Sequence, residues 1–407
     1  MAVDVEQQGP ALLRAAAAEV RSWEGEVSEA RGRQVRWVAG EYGRALAHDE
    51  HPLGDDAVAE DLFAREAIDA YLELAAQGSL RVRQAANVRS GDNSRQIRVE
   101  VLALLARALG VRADLPPQPD PAPKEPVAAR PRSLLRASLT ELADRSGALP
   151  GQIRMLAIGA VVDDTGVRSG EACACGIQDL SPSLEELRVV RRPQGWSADD
   201  AYTELLALSE LSRAALRRWL PERQALLARV GGTAAALWVS LHGNHAHGRT
   251  VPAGTPLQPR GLYRAWTKAV TAANVEMAGE PSWTPLPTRL EQVRRGVQPK
   301  VRPAPMRPDA ERAVVLLDEV AKRGAELVAQ RSGALGTTAE REARVAVRKA
   351  ICEAWAEGVD HALQLAILAD EGLTDDAGLA AAGWDPALLA AVDRAEGRGR
   401  PTKAKAV

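Results

Sequence analysis

The string with the clearest chemical content is Thr165-Gly166-Val167-Arg168-Ser169-Gly170-Glu171, followed by Asp179. Gly166 is placed to end one helix in a turn, and Arg168 then opens the next helix three residues before Glu171. An arginine at that position can meet an anion, because the first N–H groups of a helix also favour negative charge. Its planar guanidinium can engage two phosphate oxygens at once. The bland reading of the same string is a surface Arg-Glu pair. A second cluster is His242-Gly243-Asn244-His245-Ala246-His247, three of the six histidines in one loop. Histidines this close could hold zinc or nickel, but no acid or cysteine follows nearby, so a polar exposed loop is expected and no metal or cofactor is assigned. Cys173 and Cys175 are too close for the usual zinc spacing and have no second pair.

Charge is unevenly distributed. The 407 residues carry a net charge of −2. Residues 1–80 hold seven basic against sixteen acidic residues. Residues 81–112 hold seven arginines, among them Arg81, Arg83, Arg89, Arg95 and Arg98, against two acids. Residues 286–307 hold six basic residues, including Arg289, Arg294 and Arg295, against Glu291 alone. Such patches in a neutral chain can be a footprint for phosphate, or simply solvated helix faces. The tail Gly397-Arg398-Gly399-Arg400-Pro401 is similar to an AT-hook core, in which Arg398 and Arg400 would enter a minor groove. No run of 18 apolar residues occurs, which argues against a membrane span. Three cysteines and an acidic N-terminus suggest a cytoplasmic protein, nucleoid-associated if it binds DNA.

The elements that must position these residues are mostly helical. Apolar residues recur at helical spacing over Leu12–Val20, around Leu62–Leu74 up to Gly78, and over Ile97–Leu109 up to Gly110. Seven prolines between 112 and 132 mark an extended linker that no core should include. Helices are then expected over 134–142, 153–162, 212–219 and 262–273, with a β hairpin pairing 187–190 with 202–206. After Pro308 comes one long helix, and a Thr337-Thr338-Ala339-Glu340 capping box opens another. That second helix is expected to run Val347, Ile351, Trp355, Val359, Leu363 and Ile367. Residues 373–392 have a helix-turn-helix rhythm with Gly383 in the turn. The second helix lacks base-reading side chains, so a structural hairpin is expected.

Thr-Gly-x-Arg-x-x-Glu with an Asp eight residues later resembles the first active-site box of the tyrosine recombinase (phage integrase) family. The context from about 80 to 295 agrees: a helical Arg-bearing unit, a linker, a hairpin, then Leu208-Ser209 and a helix. The resemblance implies two arginines gripping a scissile phosphate, a lysine and histidines managing protons, and a tyrosine nucleophile. Arg168 matches the first arginine, and Arg289 in Trp283-Thr284-Pro285-Leu286-Pro287-Thr288-Arg289 matches the second. Leu286 stands where a histidine is expected. Arg191 and Arg192 stand near the hairpin lysine's place. No tyrosine follows Tyr263, so the expected nucleophile has no counterpart.

The fold expected is mainly α with a small β element, in a two-domain tyrosine-recombinase-like architecture. Its parts are a helical core-binding-like domain (1–111), the linker (112–132), a catalytic-fold domain (133–305), a C-terminal helical region (306–395) and a basic tail (396–407). The function expected is binding of double-stranded DNA without cleavage, in an accessory or regulatory role. As the resemblance implies, the two domains would clamp a duplex, with Arg81, Arg83, Arg89, Arg95 and Arg98 on one side. Arg168, Arg289, Arg294 and Arg295 would lie on the other. Two alternatives stand beside it. One is an active integrase whose nucleophile is Tyr263, a serine or a tyrosine from another subunit. The other is a protein-interaction scaffold without DNA binding, working through the acidic first 80 residues and the C-terminal helical pair.

Overall fold

The computed structural model describes residues 8–23, 27, 29–82, 92–117, 126–191, 201–232, 234–246, 249–306, 309–331 and 337–395. The chain divides into two compact units, Met1–Pro123 and Lys124–Val407. The division falls inside the Pro-rich segment. Mainly α with a small β element is what the structure shows.

The first unit contains α1 (Gly9–Ser22), α2 (Glu29–Leu46), α3 (Ala59–Leu62), α4 (Arg65–Gln77) and α5 (Asp92–Leu109). Apolar faces of α1, α2, α4 and α5 meet in one core around Leu13, Val38, Ile68 and Leu102. Gly78 ends α4 in a left-handed conformation, as its position suggests. The start of the linker differs from expectation, because Ala113 and Leu115 continue the packing of Val111 on this core. Their side chains are apolar and reach back over the helices, so the extended segment begins later.

Arg98 requires a correction. It was expected on a phosphate-facing surface, yet only 4% of its side chain is exposed. Its Nε donates to Glu41 Oε2 at 2.6 Å and Nη2 donates to Glu41 Oε1 at 3.1 Å. Tyr71 donates its hydroxyl to the same carboxylate at 2.9 Å, and Tyr42 stacks on Tyr71. A buried charge is tolerable only when paired and hydrogen-bonded in this way. Arg98 is therefore a core member of this unit.

The second unit holds α6 (Ala129–Asp144), α7 (Pro150–Thr165), α8 (Ser169–Ala174), β1 (Glu186–Arg191), β2 (Tyr202–Ala207) and α9 (Glu210–Val230). It continues with β3 (Asn244–Ala246), β4 (Arg249–Val251), α10 (Pro259–Glu276), α11 (Leu290–Arg295) and β5 (Val301–Ala304). Its last elements are α12 (Ala310–Gln330), α13 (Thr338–Ala356), α14 (His361–Asp370), α15 (Asp376–Ala381) and α16 (Pro386–Ala395). Helix α7 is buried nearly end to end, as a central helix must be, and its buried Arg154 and Asp163 are hydrogen-bonded to the Val239 carbonyl and to Arg132. Gly159 lets Trp266 of α10 lie against it; a Cβ there would sit 2.9 Å from the indole.

The expected hairpin is present, with Leu187 opposite Leu206 and Arg191 opposite Tyr202. Two further β features had no signal in the sequence reading. β5 pairs antiparallel with β2 to complete the order β1-β2-β5, Pro303 being tolerated on an edge strand. β3 and β4 form a second small hairpin where a polar loop was expected.

Residues 306–395 are not a separate region. Leu316, Val347, Leu368 and Leu388 belong to the same hydrophobic core as Leu156 and Trp219. The long helix expected through Ile367 breaks at Gly358 (φ 96°), so α13 and α14 are distinct. Gly383 does occupy the turn before α16 (φ 102°), and α16 buries Leu388, Leu389 and Val392. Its packing on α9 makes this pair a structural hairpin.

Candidate anion-binding site

Arg168 is positioned by the end of α7. Arg132 of α6 donates to Asp163 at 2.8 Å. Asp164 accepts from Ser209 N–H at 2.7 Å and from the Ser212 hydroxyl at 2.5 Å, which anchors the start of α9. Gly166 then turns the chain in a left-handed conformation (φ 61°), and Arg168 emerges at the N-terminus of α8.

The helix terminus offers an anion less than the sequence suggests. Helix α8 is only six residues long. Its Arg168 N–H is already taken by Glu171 Oε2 at 2.8 Å. With so short a helix, the side-chain guanidiniums are the main groups offered to an anion.

Glu171 is the hub, with 7% of its side chain exposed. Besides the Arg168 N–H it accepts from Arg191 Nη1 at 2.7 Å, and its Oε1 lies 3.6 Å from Arg168 Nη1. Arg191 also donates to Glu204 at 2.7 Å and to the Thr165 carbonyl at 3.3 Å. Burial alone would lower the Arg191 pKa, but Glu204 and Glu171 outweigh it and raise the pKa. Arg191 is thus a fixed cation tying the hairpin to α8. It cannot serve as an acid in the manner of a lysine. Arg192 lies outside the described residues.

Beside this hub opens a cleft of about 620 Å³, lined by Arg168, Glu171, Asp179, Arg188, Val190, Glu291 and Arg294 among others. Arg188 of β1 and Arg294 of α11 are the arginines that share it with Arg168. Arg289, expected there, is exposed at the N-cap of α11 and does not line the cleft. Arg294 pairs with Glu291, which holds the Glu291 carboxyl below its usual range, and Arg295 pairs with the same carboxylate at 3.2 Å. Asp179 accepts from Gly176 N–H at 2.7 Å, and burial pushes its carboxyl up. Three arginines face three carboxylates in this lining. An anion would therefore be selected by placed guanidiniums rather than by net charge.

Among proteins of known structure, the chain is similar to the XerH site-specific recombinase bound to difH substrate in a pre-cleavage complex. The identity is 9%, the match covers 72% of this chain and 86% of that one, and the TM-score is 0.43. It is also similar to the Tn1549 transposon integrase in complex with circular intermediate DNA. There the identity is 14%, the coverage is 70% and 84%, and the TM-score is 0.40. No protein-family model matches, and no curated protein does.

The other expected residues are dispersed. Arg95 is exposed and Arg81 half-buried in the first unit, while Arg83 and Arg89 lie outside the described residues. Arg398 and Arg400 lie outside them too. His242 is exposed, His245 falls in β3, and His247 lies outside the described residues. Among the described residues no group of three or more histidines, cysteines or acids could hold a metal ion, and no helix is long and apolar enough to cross a membrane.

The sequence reading missed two features. One is Arg188, whose alternation with Val190 along β1 turns both to the cleft. The other is α10, which packs on α8 and exposes Arg260, Arg264 and Lys268 at helical spacing. No acid interrupts this stripe before Glu276, a pattern legible in the sequence.

Proposed function

We propose that the second unit binds duplex DNA through its backbone phosphates, with Arg168 at the centre, and that the chain is a recombinase-like protein that does not cut the strand it holds. The observation that carries this reading is the arrangement around Arg168. The Thr-Gly-x-Arg-x-x-Glu string presents that arginine into an open cleft beside Arg294, while Glu171 holds its backbone and Arg191 together. Arg289, Arg260, Arg264 and Lys268 extend the basic surface available to phosphates. Arg81 and Arg95 of the first unit are further phosphate contacts in this reading, and an accessory or regulatory role in recombination follows from it. The absence of tyrosine after position 263 supports binding without cleavage, because a phosphotyrosine intermediate needs that phenol oxygen.

The test is a fluorescence-anisotropy titration with duplex DNA across a salt series. Binding should weaken steeply with salt. Arg168→Ala with Arg289→Ala should weaken it at least tenfold and flatten the salt slope. Unchanged binding would overturn the proposal. A nicked suicide substrate on the same samples should give no covalent adduct. An adduct lost in Tyr202→Phe or Tyr263→Phe would instead establish an active enzyme with an unusual nucleophile, since both tyrosines are exposed.

A further inference from the structure

Arg168 and Arg294 belong to different elements, so their spacing depends on what holds those elements in register. Arg168 follows the end of α7, and Arg294 lies in the last turn of α11. The two ends abut. A Cβ on Gly166 would lie 3.4 Å from Val297 Cβ and 3.5 Å from the Arg294 carbonyl oxygen.

The chain that follows the Pro-rich linker crosses this junction. Val127 donates its N–H to the Gln292 carbonyl of α11 at 3.1 Å. Arg130 donates to the Ser282 carbonyl, ahead of α11, at 2.9 Å. Arg132 reaches α7 and α11 at once. Its Nη1 donates at 2.6 Å to the carbonyl of Gly296, the C-cap of α11. Its Nε donates to Asp163 Oδ1 at 2.8 Å, and its Nη2 to the Asp163 carbonyl at 3.3 Å. Asp163 is buried in the last turn of α7. Three bonded nitrogens on one planar guanidinium fix direction as well as distance, which a flexible ammonium cannot do. Arg136 supplies a contrast. One turn further along α6, it donates to the other oxygen of the same carboxylate, and that bond joins α6 to α7 alone.

We infer that residues 127–132 are a strap that sets the spacing of the phosphate-binding arginines, with Arg132 as its positioning residue. The bonded nitrogens of Arg132 all face protein acceptors, so it acts on the anion through Arg168 and Arg294. The inference rests on the reading of those two arginines as phosphate ligands.

Duplex binding of the full chain, measured by fluorescence anisotropy, tests it, with urea unfolding to show that each variant is folded. Arg132→Ala should weaken binding by roughly tenfold, the scale of a lost charge-assisted hydrogen bond. Arg132→Lys keeps the charge but cannot span both elements, so it should weaken binding nearly as much. If Arg132→Ala does not fold, the lysine variant carries the same comparison. Arg136→Ala should leave affinity within about threefold, because a half-exposed pair contributes little. In a chain already carrying Arg168→Ala and Arg294→Ala, Arg132→Ala should cost less than about twofold more, since nothing is left for it to position. That arm is read at low salt, where the remaining basic residues still hold the duplex. Wild-type affinity in Arg132→Lys, or a full further loss in the doubly substituted chain, would make Arg132 a plain phosphate contact and overturn the inference. An equal loss in Arg136→Ala would overturn it too, by assigning the effect to Asp163 rather than to the strap. The two readings separate on the same samples. Intact binding after Arg168→Ala with Arg294→Ala removes the phosphate reading, whereas weakened binding there with unaffected Arg132 variants removes the strap alone.

Discussion

Glu171 and Arg191 should be energetically coupled, and a double-mutant cycle will measure by how much. The pair is close (2.7 Å) and shielded, with 7% and 14% of the two side chains exposed. At the effective dielectric of a partly buried site, two charges about 4 Å apart attract by roughly 4 kcal/mol before desolvation is counted. Removing one partner of a buried pair typically costs about 3–5 kcal/mol. Here each partner keeps other contacts: Arg191 retains Glu204, and Glu171 retains the Arg168 N–H. The single changes Glu171→Gln and Arg191→Met should therefore fall below that range, at about 2–3 kcal/mol each. Their coupling should be about 1.5–3 kcal/mol, within the span seen for contacting residues. Urea unfolding followed by tryptophan emission suits the measurement. Trp219, Trp238, Trp266, Trp355 and Trp384 are all buried in the second unit, and an unchanged m-value would show that only stability has moved. A coupling below about 0.5 kcal/mol would place the pair with exposed ion pairs and refute its role as the hub of the site.

Three further outcomes are expected. Burial pushes the His361 pKa down to about 3. Only the unfolded chain then takes up a proton between about pH 6.5 and pH 3, so the second unit should lose about 1.4 kcal/mol per pH unit on acidification across that window. His361→Asn should remove this slope, and pH-dependent urea midpoints would check it. In the first unit, Glu41→Leu leaves Arg98 buried without its carboxylate. It should cost about 3–5 kcal/mol, visible as loss of protection in amide exchange confined to residues of that unit. Gly383→Ala places a side chain at φ 102° and 2.7 Å from Arg348 Cγ. A melting temperature lowered by several degrees is expected, and an unchanged one would mean that the turn relaxes freely.

Local signals made much of this molecule legible. Helical spacing located α1, α5, α7 and α12, and glycine punctuation placed the ends of α4 and α7. The 187–206 hairpin was readable because its strands alternate and are bracketed by turn residues. What escaped depends on distant partners. Nothing local marks Arg98 as buried, because its charge is balanced by Glu41, 57 residues earlier. The four-residue spacing through Ile367 looked continuous, since periodicity alone does not weigh a left-handed glycine at 358. β5 was invisible because a strand containing Pro303 qualifies only on an edge that the rest of the sheet creates. At the candidate site, the spacing of Arg168 and Glu171 singled that pair out, although the same spacing also fits a surface ion pair. Arg188 was not singled out, because the cleft that selects it is assembled from β1, α8 and α11 together.

The fusion of the C-terminal helices with the cleft-bearing core has a consequence for how the chain is made. Trp355 donates its indole N–H to the Gln178 carbonyl, and the His361 ring bonds the Leu180 carbonyl. These contacts span 177 and 181 residues, and they brace the segment that carries Asp179. At about 5–20 residues per second of synthesis, that segment waits on the order of ten to forty seconds for its partners to be translated. Meanwhile the first unit, whose core closes within its own first 115 residues, can already have folded. A nascent chain should therefore pass through a state with one finished unit and one unfinished cleft. Contacts so far apart in sequence also make the second unit the slower of the two to fold.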